Sequence, residues 1–174
     1  MLSSALQWDP ALDVVLNRLP NRFVSEGGGK NLEDRVGELA VALDHNDAFV
    51  IFPEGGNFTE RRRTAGIARL RKRGLEEMAR RSEAMRHVLA PRPGGVVAAL
   101  AAAPEADVVW VAHTGLDHLY TISDVWRELP LDRTVKMRWW RVPAAEVPQG
   151  EQAQIDWLYE WWQRIDDWVA GART

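Results

Sequence analysis

The chain has 174 residues, 46% of them hydrophobic and 27% charged, with a formal charge of −3, a balance that fits one domain with enough apolar material for a core. The absence of cysteine excludes disulfides, a thiol nucleophile and a thiolate metal site, and suits a reducing compartment. No apolar run nears the ~18 residues of a membrane span, and Met1 to Leu16 lacks the basic start and apolar centre of an export signal.

In chain order, Met1 to Pro20 carries scattered apolar residues without a clear period and reads as a short helix or extended entry. Asn21 to Glu26 predicts a brief strand that runs into Gly27-Gly28-Gly29-Lys30. Those glycines are not a phosphate-cradling P-loop, which needs Gly at position 24 and Ser or Thr after the lysine, where this chain has Val24 and Asn31. Leu32, Val36, Leu39 and Leu43 recur at helical spacing, so Leu32 to Asp44 predicts an amphipathic helix. Asp47 to Phe52, rich in Val, Ile and Phe, predicts a buried strand that stops at Pro53, which has no N–H for a ladder. A strand, a helix and a second strand joined by a right-handed crossover form a βαβ unit. The predicted fold class is therefore α/β, with a mostly parallel sheet flanked by helices.

Glu54 follows the end of that predicted strand, where open α/β sheets bind their ligands. Gly55 and Gly56 permit close backbone approach or positive φ. Asn57-Phe58-Thr59 fits the glycosylation pattern, an accidental match in a chain without an export signal. From Glu60 to Arg81 an apolar stripe of Ile67, Leu70, Leu75 and Met78 is interrupted at Gly66 and Gly74, which predicts two helical pieces. Between Arg61 and Arg81 nine Arg or Lys stand against two Glu. Arg61, Arg62 and Arg63 fall at a helix start, where the macrodipole opposes cations by roughly a few tenths of a kcal/mol each. The run reads either as an anion site or as a solvated charged face.

Val88-Leu89 and Val108 to Ala112 read as strands, with a helix from Gly94 to Ala103 closed near Pro104. Thr134 to Val142 predicts another strand, since Val135, Met137 and Trp139 alternate with Lys136, Arg138 and Trp140. Residues 151–171 predict a Trp-rich amphipathic helix, with Ile155, Leu158, Trp162, Ile165 and Val169 on one stripe widened by Trp157, Trp161 and Trp168. Six of the nine tryptophans lie from Trp139 onward. A helix that lies on lipid carries Lys and Arg on its polar face. This one carries Asp156, Glu160, Asp166 and Asp167 against Arg164, which favours docking on the domain or a partner.

Phe52-Pro53-Glu54-Gly55 resembles the acceptor-binding motif of the phospholipid/glycerol acyltransferases, whose usual form is Phe-Pro-Glu-Gly-Thr, with Gly56 here in place of Thr. Arg86-His87-Val88-Leu89-Ala90-Pro91-Arg92-Pro93-Gly94 resembles the Val-Leu-x-Pro-Arg-x-x-Gly stretch of the lysophosphatidic acid and lysocardiolipin acyltransferase branch. Asp107 to His113 is comparable to the Asp-Val-Thr-Val-like strand that follows there. The resemblance spans about Leu6 to Val142 within a single domain of residues 1–174. It implies transfer of a fatty acyl group from acyl-CoA or acyl carrier protein to a lysophospholipid acceptor such as lysophosphatidic acid, at a membrane surface, with no cofactor, metal or nucleic acid, in a protein that is cytoplasmic or peripheral at the membrane. The substrate-binding residues it implies are Phe52, Pro53, Glu54, Gly55, Gly56, Asn57, Thr59, Arg61, Arg62 and Arg63. Where the family has an arginine for the acceptor phosphate this chain has Ser25-Glu26, so Arg22 or Lys30 takes that role in the implied site.

Acyl transfer from a thioester to a hydroxyl needs a base and a carboxylate to orient it, and the family draws both from His-x-x-x-x-Asp ahead of Phe-Pro-Glu-Gly. None of His45, His87, His113 and His118 has Asp five residues on. The catalytic residues are accordingly unassigned, and the N-terminal part of the implied domain is expected to be missing. The alternative expectation is a catalytically inactive family member that binds anionic lipid or acts as an interaction module.

Overall fold

The computed structural model describes residue 41 and residues 47–115, 126–127 and 134–173. They fall into two compact units, one of residues 1–53 and 93–104 and the other of residues 54–92 and 105–174.

The mostly parallel sheet is not found. Among the described residues the sheet is a two-stranded antiparallel ribbon of β1 (Val108–Thr114) and β2 (Lys136–Val142), with Trp110 opposite Trp140 and Val111 opposite Trp139. Asp47 to Phe52 forms no strand, and Val50 and Phe52 are 60% and 67% exposed. A short apolar run states a preference for burial, but burial and pairing need a non-local partner that the run does not specify. Val88 and Leu89 are buried without being a strand; the Val88 N–H is satisfied by a side chain instead of a ladder. The predicted strand at 21–26, and the predicted helix at 32–44 apart from its helical residue Val41, lie outside the described residues.

The helical expectations fare better. Helix α1 (Glu60–Lys72) starts at Thr59, whose Oγ1 accepts the Arg62 N–H at 3.2 Å, an ordinary N-cap. Gly66 lies inside α1 with nothing near its missing Cβ and does not break it. Gly74 does. It has φ +73°, its N–H reaches the Arg71 carbonyl, and the Leu75 N–H reaches that of Leu70, the paired bonds of a Schellman stop. Helix α2 (Glu76–Ala84) follows. In the first unit, helix α3 (Pro93–Ala102) opens on Pro at its first position. A short 3₁₀ turn (Ala144–Glu146) then leads to helix α4 (Glu151–Ala172).

The core of the second unit lies between α4 and the inner face of the ribbon. Strand alternation places Trp110, Ala112 and Val142 inward, where they are buried, as are Leu158, Tyr159, Trp161, Trp162, Ile165 and Val169 on α4. Trp110 has ring centroids of Trp157, Trp162 and Trp161 at 5.2, 5.7 and 5.8 Å, and Trp140 has those of Trp161 and Trp168 at 6.0 and 6.1 Å. Such pairs contribute roughly 0.5–1.5 kcal/mol each beyond the area they bury. The tryptophan stripe therefore faces protein. Arg81 ties α2 to the same helix, with Nη1 on Asp156 Oδ1 and Nη2 on the Asp156 carbonyl, both at 2.9 Å, and its guanidinium 5.0 Å from the Tyr159 ring centre.

Candidate anion-binding turn and its carboxylate pair

The second unit begins at Glu54. This residue is not at a strand end; it belongs to a turn, and its half-buried side chain meets the Leu89 amide, the Trp162 indole and the Asp166 carboxylate. Burial is the largest influence and lifts its pKa from 4.5 to about 7. The Leu89 amide and the Trp162 indole pull the other way, and Asp166 adds to the rise. The Trp162 nitrogen is buried without a hydrogen bond of normal geometry, so it acts on Glu54 as a neighbouring dipole.

Asp166 is the fixed member of this pair. It is 4% exposed, and its Oδ1 accepts backbone N–H groups from Arg86, His87 and Val88 at 2.9, 2.5 and 3.1 Å, with Oδ2 3.1 Å from the Arg86 nitrogen. One side chain of α4 thus satisfies three consecutive amides of the segment after α2, a segment with no secondary structure to use them. Sequence reasoning missed this residue by placing it on the solvated acidic face. The signal was present: Asp166 stands four residues after Trp162 and three before Val169, on the buried stripe.

Beyond Glu54 the chain turns at Gly55, with φ +66°, where an added Cβ would fall 2.8 Å from Cζ of Arg92. At Gly56 the same atom would fall 2.7 Å from Nη1 of Arg62. Two guanidinium groups therefore lie directly against the glycine backbone, and a side chain at either position would displace them. Arg62 Nη1 also donates to the Asn57 carbonyl at 3.1 Å. Arg92 has no hydrogen-bond or ion-pair partner among the described residues, and neither does Arg61. Arg92 was quoted in the Pro-Arg stretch but not counted as a site residue. Its position over Gly55 is what brings it in.

The three consecutive arginines divide by role. Arg63 turns inward: its side chain is 17% exposed, Nε donates to the Met85 carbonyl at 2.7 Å, Nη2 to the Glu83 carbonyl at 2.8 Å, and Nη1 meets Glu60 at 2.9 Å. It closes the end of α2, so the guanidinium of Arg63 is committed to structure. Arg61 and Arg62 remain outward. Thr59 is the cap of α1, and Asn57 contributes its carbonyl. Phe52 is exposed and, with Pro53, belongs to the first unit. Arg22 and Lys30 lie outside the described residues.

His87 has its Nδ1 2.9 Å from Nη1 of Arg173, and His113 is on the exposed outer face of β1 opposite Met137. His45 and His118 lie outside the described residues. Among the described residues no group of His, Asp and Glu has the arrangement of a metal site, and no helix is long and apolar enough to cross a membrane. No protein-family model, curated protein or solved structure matches the chain.

Proposed function

We propose that this chain serves acyl transfer from acyl-CoA or acyl carrier protein to a lysophospholipid such as lysophosphatidic acid, and that its described residues hold the acceptor. The observation that carries this reading is the turn 54–57. A half-buried carboxyl, that of Glu54, is followed directly in the chain by two glycines against which the guanidinium groups of Arg92 and Arg62 lie, next to a helix start. An anionic headgroup suits the guanidinium groups and the first amides of α1. A carboxyl whose pKa is near 7 suits a hydroxyl as either donor or acceptor.

The test is transfer by a version of the chain extended upstream to include any encoded His-x-x-x-x-Asp, with and without Glu54→Gln. The expected outcome is a strong loss of transfer with thermal stability unchanged or raised, because glutamine removes a charge from beside Asp166. A loss of stability in step with the loss of transfer would assign Glu54 to structure alone. The unextended chain is expected to transfer little, since general-base help is typically worth ~10²–10⁴ in rate.

A second reading, binding of anionic lipid without catalysis, is favoured by the outer side of α1. Arg61, Arg69, Lys72 and Arg73 are exposed there, with no side-chain partner among the described residues. Binding of anionic vesicles by a chain that shows no transfer, abolished by charge reversal at Arg61 and Arg69, would support it.

A further inference from the structure

Asp166 gathers the N–H groups of Arg86, His87 and Val88 on a single oxygen, Oδ1. In extended backbone successive N–H groups point to alternate sides, so three that converge on one atom require the chain to curve. Residues 86–88 are bent accordingly. A carboxylate of α4 therefore sets the curvature of this segment, and with it the direction in which the chain leaves Val88.

The chain that leaves Val88 runs to the turn of Glu54 to Asn57. Val88 and Leu89 are buried, as is Pro91, so the stretch is held by close packing. The Leu89 amide meets the Glu54 carboxyl, and Arg92 lays its guanidinium on Gly55, with Cζ 2.8 Å from where a Cβ would stand. Two prolines bracket Arg92: Pro91 fixes its own φ, and Pro93 keeps Arg92 itself out of helical backbone. The guanidinium has no hydrogen-bond partner among the described residues to hold it over the glycine. Its place there follows from where residues 86–92 carry it.

From this we infer that Asp166 is a positioning residue of the anion-binding turn: by bending residues 86–88 it sets the Arg92 guanidinium over Gly55, ready for a phosphate monoester. The inference rests on the acceptor reading above for its ligand, while the order of Arg92 is measured without any ligand. A long side chain held in place beforehand loses less entropy when the anion arrives. Electrostatics alone points the other way, because removing a carboxylate from beside Glu54 should favour an anion at the turn. A role in stability alone would lower the unfolding midpoint and leave the folded site as it was.

The experiment takes two readouts from the full chain. Nuclear magnetic relaxation of the Arg92 Nε–H group, identified by its loss in Arg92→Lys, reports the order of the side chain, and titration with glycerol 3-phosphate reports the site. The expected result is an ordered Arg92 Nε–H in the wild type that becomes mobile in Asp166→Asn, while near-ultraviolet circular dichroism is retained. Glycerol 3-phosphate binding should weaken roughly two- to tenfold in the same variant, the cost of ordering one long side chain on binding, and further in Arg92→Ala. If Asp166→Asn fails to fold, Ala90→Gly, which loosens the backbone between the bend and Arg92 and leaves Asp166 in place, gives the same reading. An Arg92 side chain equally ordered, or equally mobile, in wild type and variant overturns the inference, as does unchanged or tighter glycerol 3-phosphate binding by the folded variant. Loss of Arg92 order in the variant, with no binding by the wild type, upholds the positioning role and sinks the acceptor reading instead.

Discussion

Helices α1 and α4 belong to the same unit and are built on opposite terms. Along the 22 residues of α4 eight are buried, whereas among the 13 residues of α1 Ile67 alone is. One is held by indole packing and by a buried carboxylate reaching another segment. The other is held at its ends, by Thr59 at the start and the Gly74 stop, while Arg63 serves its neighbour α2. The difference teaches that charge count does not locate chemistry. The acidic helix contributes its decisive carboxylate to the interior, and the basic helix leaves half of its cations, Arg61, Arg69 and Lys72, without a side-chain partner among the described residues.

The comparison breaks most sharply at Asp166. Replacement by Ala leaves three consecutive amides without their acceptor, that of Val88 buried and those of Arg86 and His87 partly so, and we expect a loss of roughly 3 kcal/mol in denaturant unfolding. A loss below about 1 kcal/mol would mean that water reaches residues 86–88. Asp166→Asn should fall between, because one oxygen remains.

Glu54 lies where the two regions meet, on the turn before α1 and against Trp162 and Asp166 of α4. Its folded pKa, about 7, exceeds the ordinary 4.5, so the folded state holds the proton longer than the unfolded one. The associated stability is fully present below pH 4.5 and is lost as pH rises through about 7. The corresponding free energy is at most roughly 3 kcal/mol. Glu54→Gln should remove this slope and be the more stable form at pH 8. A wild-type profile that is flat between pH 4.5 and 7 would contradict this environment.

Smaller effects should follow at α1. Arg63→Ala frees the Met85 and Glu83 carbonyls and should cost roughly 1–2 kcal/mol. Thr59→Ala should cost about 1 kcal/mol through the lost cap. Arg61→Ala should stay within about 0.5 kcal/mol, and a larger loss would show that this arginine is not free.

Much of the secondary structure was legible in the sequence. Both ribbon strands, the paired helical pieces, α3 and α4 follow from local period and from Gly and Pro signals, which depend on neighbours in sequence. The sheet was not legible. The parallel topology rested on Asp47 to Phe52, whose apolar composition could not reveal that the segment forms no strand. The candidate site was legible as a turn, from Pro53 to Gly56, and not as a constellation. Arg92 and Asp166 reach it from 37 and 111 residues beyond Gly55, and no local pattern carries such a meeting. Arg63, indistinguishable in sequence from Arg61 and Arg62, is separated from them only by which side of α1 faces α2.

The indole cluster between α4 and the ribbon gives the molecule an optical signature. Trp110 has three ring centroids within 6 Å, in tilted, stacked and edge-on arrangements, so their electronic transitions are coupled and their far-ultraviolet circular dichroism should carry a pair of indole bands of opposite sign on top of the helical signal. Coupling of this kind depends on the distance and angle between rings and not on helix content. The band pair therefore reports whether α4 is seated on the ribbon, and would vanish on undocking even while the helix itself stays wound.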